Sequence, residues 1–231
     1  EDNPAKPAAL ICESDQCYQM YTSGTTGLPK GAMISQANVT NNIQMAHLAS
    51  SITPRQERNL IVAPIFHAAA ALSMMSMVAS GSTMVIHREF TPDQVVKSLD
   101  EEAITMTTMV PAMIQACLVA VPDIATREFK NLRLISYGAS PIAQETLQKA
   151  MTVFGCGFAQ GFGMTELTCI ATNMTPNVHE RAASGEPGLL LSAGRPQMGT
   201  DIKIADENDV ELPRGQVGQI LVRGPQTMMG Y

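Results

Sequence analysis

Between residues 59 and 161 the chain alternates short apolar runs with longer stretches of helical period, and this constrains its fold more than any other feature. Asn59 to Ala63, Ser82 to His87, Thr105 to Val110, Leu132 to Ser136 and Phe158 to Gly161 read as strands. Ala68 to Ala79 between the first two reads as a helix of small residues and methionine. Thr91-Pro92-Asp93-Gln94 looks like a helix start, with Thr as cap, Pro at the first helical position and Gln three residues after the cap. Pro111 opens another helix to about Val119, and Ser140-Pro141 opens one whose Leu147, Ala150, Met151 and Phe154 share a face. Strands alternating with helices predict an α/β fold with a largely parallel sheet covered on both faces. The tail changes character. Asp201 to Ala205 and Val217 to Arg223 read as strands separated by polar turns, which predicts an antiparallel β-subdomain over 179–231 after an α/β core over 1–178.

Open parallel sheets bind ligands beyond the carboxyl ends of their strands. Ile65-Phe66-His67, Gly138-Ala139-Ser140 and Gly161-Phe162-Gly163 all follow predicted strands, so one crevice is expected to gather them. Composition limits what that crevice can serve. A hydrophobic share of 45% in 231 residues suffices for a large core, whereas a net charge of −6 supplies no basic stripe for nucleic acid. No apolar run approaches the ~18 residues of a membrane span, and no signal peptide opens the chain. Five cysteines without metal-ligand spacing fit a reducing cytoplasm. The 16 methionines read first as core fillers standing in for Leu and Phe, since aromatic residues are only 4%.

The stretch Tyr21 to Gly31, YTSGTTGLPKG, follows a strand-like run of Cys17, Tyr18, Met20 and Tyr21. Hydroxyls at Thr22, Ser23, Thr25 and Thr26 alternate with Gly24 and Gly27, and Lys30 follows Pro29. Glycines let backbone N–H groups approach an anion, hydroxyls add donors, and the lysine adds a mobile cation. The combination suits a polyphosphate but is not the Walker pattern, whose lysine follows glycine and precedes Ser or Thr. Ser35 can cap a helix from about Gln36 to Ala49 directly afterwards.

This stretch resembles the phosphate-binding signature of the adenylate-forming enzymes: acyl-CoA synthetases, luciferases and peptide-synthetase adenylation domains. Gln160 to Leu167, QGFGMTEL, resembles the second signature of the same superfamily. The resemblance implies ATP as substrate, Mg²⁺ held by Glu166 with Thr22, and catalytic roles for Thr165, Glu166 and Lys30. Gly161, Phe162 and Gly163 would border the adenine, with Phe162 lying along the base. Ile135 to Ile142, ISYGASPI, resembles the adenine-side segment, which assigns Gly138, Ala139 and Ser140 to that base. Gly194-Arg195-Pro196 and Gly218 to Tyr231 extend the likeness to the last residue. On this resemblance the chain is a middle part of a longer enzyme. The ribose-binding Asp, the hinge and the small C-terminal domain with its catalytic Lys are expected downstream.

Pro64 to Ala71, PIFHAAAA, resembles the segment where acyl-CoA synthetases place a His beside the acyl group. It implies His67, Ala70 and Gly138 as acyl-substrate residues. Amino-acid-activating relatives put an acidic residue at the His67 position, so a plain carboxylic acid is the expected partner. The small residues Ala68 to Ala71, with Met74, Met75 and Met109, suggest an apolar tunnel, and a fatty acid is the expected acid, with coenzyme A as co-substrate. An aryl-acid ligase, a luciferase-like relative and a nucleotide-binding module without turnover stay open. So do oligomeric state and peripheral membrane contact through the acyl substrate.

Overall fold

The computed structural model describes residues 10–23 and 27–231. Its first element is a ribbon. Strand β1 (Gln16–Thr22) pairs antiparallel with β2 (Lys30–Ser35), and Thr22 stands opposite Lys30. The sequence reading leaves Ala32 to Ile34, between the phosphate segment and the helix expected from Gln36, without an element. A strand intervenes instead, because Ala32 and Ile34 alternate inward and are fully buried with Val39. The described ends of the phosphate segment thus lie on a two-stranded ribbon outside the main sheet.

Helix α1 (Gln36–Ser50) starts at Ser35, as expected, in a capping box. The Asn38 N–H donates to Ser35 Oγ at 3.1 Å and the Ser35 N–H to Asn38 Oδ1 at 2.9 Å. Next come β3 (Arg58–Ile61), α2 (Ala68–Ser80), β4 (Thr83–Ile86), α3 (Pro92–Glu101), β5 (Met106–Met109), α4 (Pro111–Ala120), β6 (Leu134–Gly138), α5 (Gln144–Phe154) and β7 (Gly157–Phe162). The sheet order is β4-β3-β5-β6-β7, all parallel, continued antiparallel by β8 (Thr172–Met174) and β9 (Arg195–Pro196). Helix α6 (Pro176–Ala183) lies between those last two strands. A second ribbon, β10 (Asp201–Ala205) with β11 (Gln219–Arg223), pairs antiparallel.

The expected α/β fold is thus observed, with two local differences. Ser140 does not cap α5, which begins four residues later behind Ala143. The Thr91 hydroxyl makes no cap bond and instead reaches Gln94 Oε1 at 3.4 Å. The two faces of the sheet bury different things. Leu60, Ile135, Tyr137 and Phe158 pack against α3, α4 and α5 in the main core, while Met106, Leu134 and Ala159 face Met77 of α2. The second face is less filled, and the cavity described below runs along it.

One buried charge ties the starts of three strands together. Glu57, 4% exposed, takes the Arg133 guanidinium on both carboxylate oxygens, the Thr105 hydroxyl at 2.6 Å and the Thr53 N–H at 3.2 Å. Arg133 also donates to the Ser50 carbonyl at 2.9 Å. Burial works to raise the Glu57 pKa, but these donors outweigh it and hold the pKa below the usual carboxylate value. Arg133→Met leaves the carboxylate buried without its cation, so we expect a loss of about 3 kcal/mol in urea unfolding at neutral pH. The sign with pH follows from the lowered pKa. The contribution is whole above the unfolded carboxylate pKa and is lost as pH falls through the folded value. The variant and the parent should therefore converge in acid.

Candidate functional site

A cavity of about 760 Å³ opens at the carboxyl ends of β5, β6 and β7 and continues along the second face of the sheet. Its mouth gathers segments far apart in sequence. Thr22, Ser23 and Lys30 come from the first ribbon, His67 and Ala69 from the start of α2, and Gly138 and Ala139 from the end of β6. Gly161, Gly163, Thr165 and Glu166 come from β7 and the turn after it. Gly24, Thr25 and Thr26 lie outside the described residues. Four other candidates stand off the wall. Gly27 and Ser140 are exposed and Phe162 is half-buried. Ala70 is 2% exposed and faces the core, because on a helix its neighbour Ala69 takes the cavity side.

The glycines divide into two kinds. A Cβ at Gly138 would strike the Gly161 carbonyl oxygen, and one at Gly163 would strike that of Cys169. Backbone crowding within the protein accounts for those two positions. At Gly161 an added Cβ would meet only the Ile170 side chain, at 3.7 Å, so the missing side chain there leaves space for a ligand. Ala139 holds a left-handed φ of 66°, as does Thr168 at 58°, beside Cys169 at 135°. Ala139 and Cys169 line the cavity, so two of the strained non-glycine positions border it.

Tyr231, to which the sequence analysis gave no role, lines the same mouth. Its hydroxyl donates to Glu166 Oε1 at 2.8 Å, and Lys30 Nζ lies 5.2 Å from its ring centroid. The hydrogen bond to the carboxylate raises the Tyr231 pKa above its ordinary value. The segment carrying Tyr231 is fixed by main-chain bonds. Met33 N–H donates to the Gly230 carbonyl and Met229 N–H to the Met33 carbonyl, each at 2.9 Å. Asn38 Nδ2 adds bonds to the Pro225 and Thr227 carbonyls at 2.8 Å.

His67 is the N-cap of α2, and its Nδ1 accepts the Ala69 N–H at 3.4 Å. With Nδ1 so used, the neutral ring carries its proton on Nε2, which makes that nitrogen a donor. Cys169 also lines the cavity, but burial pushes its thiol pKa up to about 12, so it is no thiolate nucleophile. Among the described residues no three His, Cys, Asp or Glu groups cluster as a metal cage. A lone carboxylate, Glu166, in a cavity also lined by Thr165 and Thr22, fits a magnesium ion that takes its other ligands from phosphate and water.

Comparison with known proteins agrees with this arrangement. The family model described as AMP-binding enzyme matches residues 1–231. Over 233 residues the chain is 34% identical to a feruloyl-CoA synthase of Amycolatopsis sp, covering 100% of this chain and 45% of the relative. It is 34% identical over 211 residues to the medium/long-chain-fatty-acid–CoA ligase FadD8 of Mycobacterium tuberculosis, covering 91% of this chain and 35% of the relative. It thus spans under half the length of these curated relatives. Among solved structures, o-succinylbenzoate coenzyme A synthetase from Bacillus subtilis in complex with ATP and magnesium ion superposes with a TM-score of 0.83. The identity there is 28%, over 96% of this chain and 44% of that one. With both signature segments meeting at one cavity and the match running the length of the chain, the protein belongs to the AMP-binding enzyme family.

Proposed function

We propose that the full-length protein is an ATP-dependent ligase that converts a carboxylic acid to its acyl-adenylate and then to the coenzyme A thioester. The observation that carries this reading is the shared cavity. Phosphate-type donors (Thr22, Ser23, Lys30), a carboxylate (Glu166) and an apolar channel beside His67 open onto one space. In the first step a carboxylate oxygen bonds to the α-phosphorus of ATP and pyrophosphate leaves. In the second, the thiol sulfur bonds to the acyl carbon, AMP leaves and the thiol proton passes to solvent. A carboxylic acid with a pKa near ~4 to 5 is already ionised at neutral pH, so the first step needs no general base. What it needs is relief of repulsion between two anions.

Lys30 and the hydroxyls of Thr22, Ser23 and Thr165 supply charge and donors toward the phosphates. Magnesium held at Glu166 would add charge neutralisation. Gly138, Ala139, Gly161 and Gly163 would border the adenine, and the His67 Nε2–H would donate to the acyl carboxylate. Five free cysteines suit a reducing compartment, and we propose a cytoplasmic enzyme. No helix among the described residues is long and apolar enough to cross a membrane.

The relatives' names span aryl and fatty acids; the apolar wall of Ala68, Ala69 and Met109 beside His67 supports a fatty acid, with an aryl acid as the alternative. The test is pyrophosphate release and thioester formation by the full-length enzyme over a panel of carboxylic acids. Release with no acid above background would overturn the reading. The panel also checks the channel wall. Ala69→Phe fills space equivalent to several methylenes, each worth about 0.8 kcal/mol. Bulky acids should lose roughly fiftyfold in kcat/KM relative to acetate if three methylenes are displaced. An unchanged size preference in the folded variant would remove Ala69 from the channel.

A further inference from the structure

A lysine and a lone carboxylate lining one mouth attract each other, and an ion pair between Lys30 and Glu166 would occupy both before a nucleotide arrives. No such pair joins them among the described residues. Tyr231 engages each of them separately. Its hydroxyl donates to Glu166 Oε1 at 2.8 Å, and its ring faces the Lys30 ammonium, with 5.2 Å between Nζ and the centroid. A phenol carries no charge, so it satisfies a carboxylate oxygen and a cation without neutralising either. The bond engages Oε1, and Oε2 keeps its acceptor capacity for a cation.

Backbone holds the tyrosine in this place from two sides. On the Glu166 side, the Met228 N–H donates to the Glu166 carbonyl at 2.9 Å and the Thr168 hydroxyl to the Gln226 carbonyl at 2.7 Å. On the Lys30 side, Met33 bonds to Met229 and Gly230. Gln226 is fully buried and its Nε2 donates to Thr200 Oγ1 at 2.8 Å, which pins the same piece of chain. Tyr231 itself is 56% exposed, so the core requires neither its ring nor its hydroxyl. A hydrogen-bonding partner behind a ligating carboxylate tunes metal affinity by roughly ten- to a hundredfold. Resting on the assignment above of Lys30 to phosphate and Glu166 to Mg²⁺, we infer that Tyr231 is a positioning residue of the nucleotide site. Its hydroxyl fixes the Glu166 carboxylate for the divalent cation, and its ring keeps Lys30 apart from that carboxylate and available to phosphate.

The test uses the full-length enzyme and reads binding without turnover. Isothermal titration calorimetry with ATP and no acid gives the ATP Kd across a Mg²⁺ series, and from it the Mg²⁺ concentration for half-maximal affinity. Tyr231→Phe keeps the ring and removes the O–H donor, so that concentration should rise about tenfold. The Kd at saturating Mg²⁺ should stay within about twofold of the parent, because the ring still faces Lys30. Tyr231→Leu removes both groups and should raise the saturating Kd as well, by about threefold or more, as Lys30 pairs with Glu166. Melting temperatures check that each variant is folded. A parental Mg²⁺ requirement in Tyr231→Phe overturns the inference, as does a lower one, which would make Tyr231 a competitor of the cation for Glu166. Equal saturating Kd values in the Phe and Leu variants remove the ring's part. Phe lacks only one hydroxyl, so a misfolded Tyr231→Phe would reveal a structural role and overturn the inference too. Wild-type ATP binding that follows Mg²⁺, with no pyrophosphate release on any acid, overturns the ligase reading alone. No ATP binding by the wild type overturns both.

Discussion

Glu166→Gln in the full-length enzyme is expected to lower pyrophosphate release by about a hundredfold or more. The substitution is sharp because it keeps nearly everything except charge. Gln retains a carbonyl oxygen at the position where Glu166 Oε1 accepts the Tyr231 hydroxyl, so the 2.8 Å contact can persist. Side-chain volume also persists, and the residue is only partly buried, so folding should survive. What disappears is the one carboxylate among the described residues that line the cavity, and with it the proposed hold on a divalent cation. A Mg²⁺ titration of the variant should accordingly show a higher half-saturating concentration than the parent. Parental rates from a folded variant would rule out this role for Glu166.

Gly163→Ala should cost stability as well as activity, by about 3 kcal/mol or more. The added methyl would fall on the Cys169 carbonyl oxygen, which is backbone and has no rotamer through which to withdraw. The strand end after β7 would have to move, and the turn that carries Thr165 and Glu166 with it. Gly161→Ala makes the matching control two residues away. Its methyl meets only the Ile170 side chain, so unfolding in urea should be near parental while ligand binding weakens. Equal loss of stability at both positions would refute this separation.

The sheet was legible because its strands are short, β-branched and buried, and the helices between them carry clear apolar faces. Strand β5 with Pro111 directly after it, and α5 with Leu147, Ala150 and Phe154 on one side, are read from local pattern alone. The β2 strand was not legible, since KGAMIS holds only three apolar residues and its inward positions are set by pairing with β1. The meeting of His67, Gly138 and Gly161 followed from the rule that parallel sheets bind ligands at their carboxyl ends, whereas that of Thr22, on a ribbon outside the sheet, did not. The reason for Gly138 did not either. Crowding against Gly161 is a tertiary fact, and no local pattern distinguishes it from room left for a base. Nor could Ala70 be told from Ala69 in a run of four alanines, since only the phase of the helix separates wall from core. Tyr231 carried no signal of its own, because its place depends on main-chain bonds of Met229 and Gly230 to Met33, near the other end of the chain and far beyond the reach of any helical contact.

Those bonds give the phosphate ribbon an unusual attachment. β2 pairs with β1 on one side, and on the other Met33 bonds to Met229 and Gly230, so Lys30 and Tyr231 ride on joined pieces of backbone. If docking of the tail alters the affinity of Lys30 for an anion, the two events are thermodynamically linked. A ligand that binds more tightly when the tail is docked must favour docking by the same factor, since such coupling is reciprocal. Protection of the Met33 and Met229 amides from hydrogen exchange would then report occupancy of the phosphate site, though neither residue touches it.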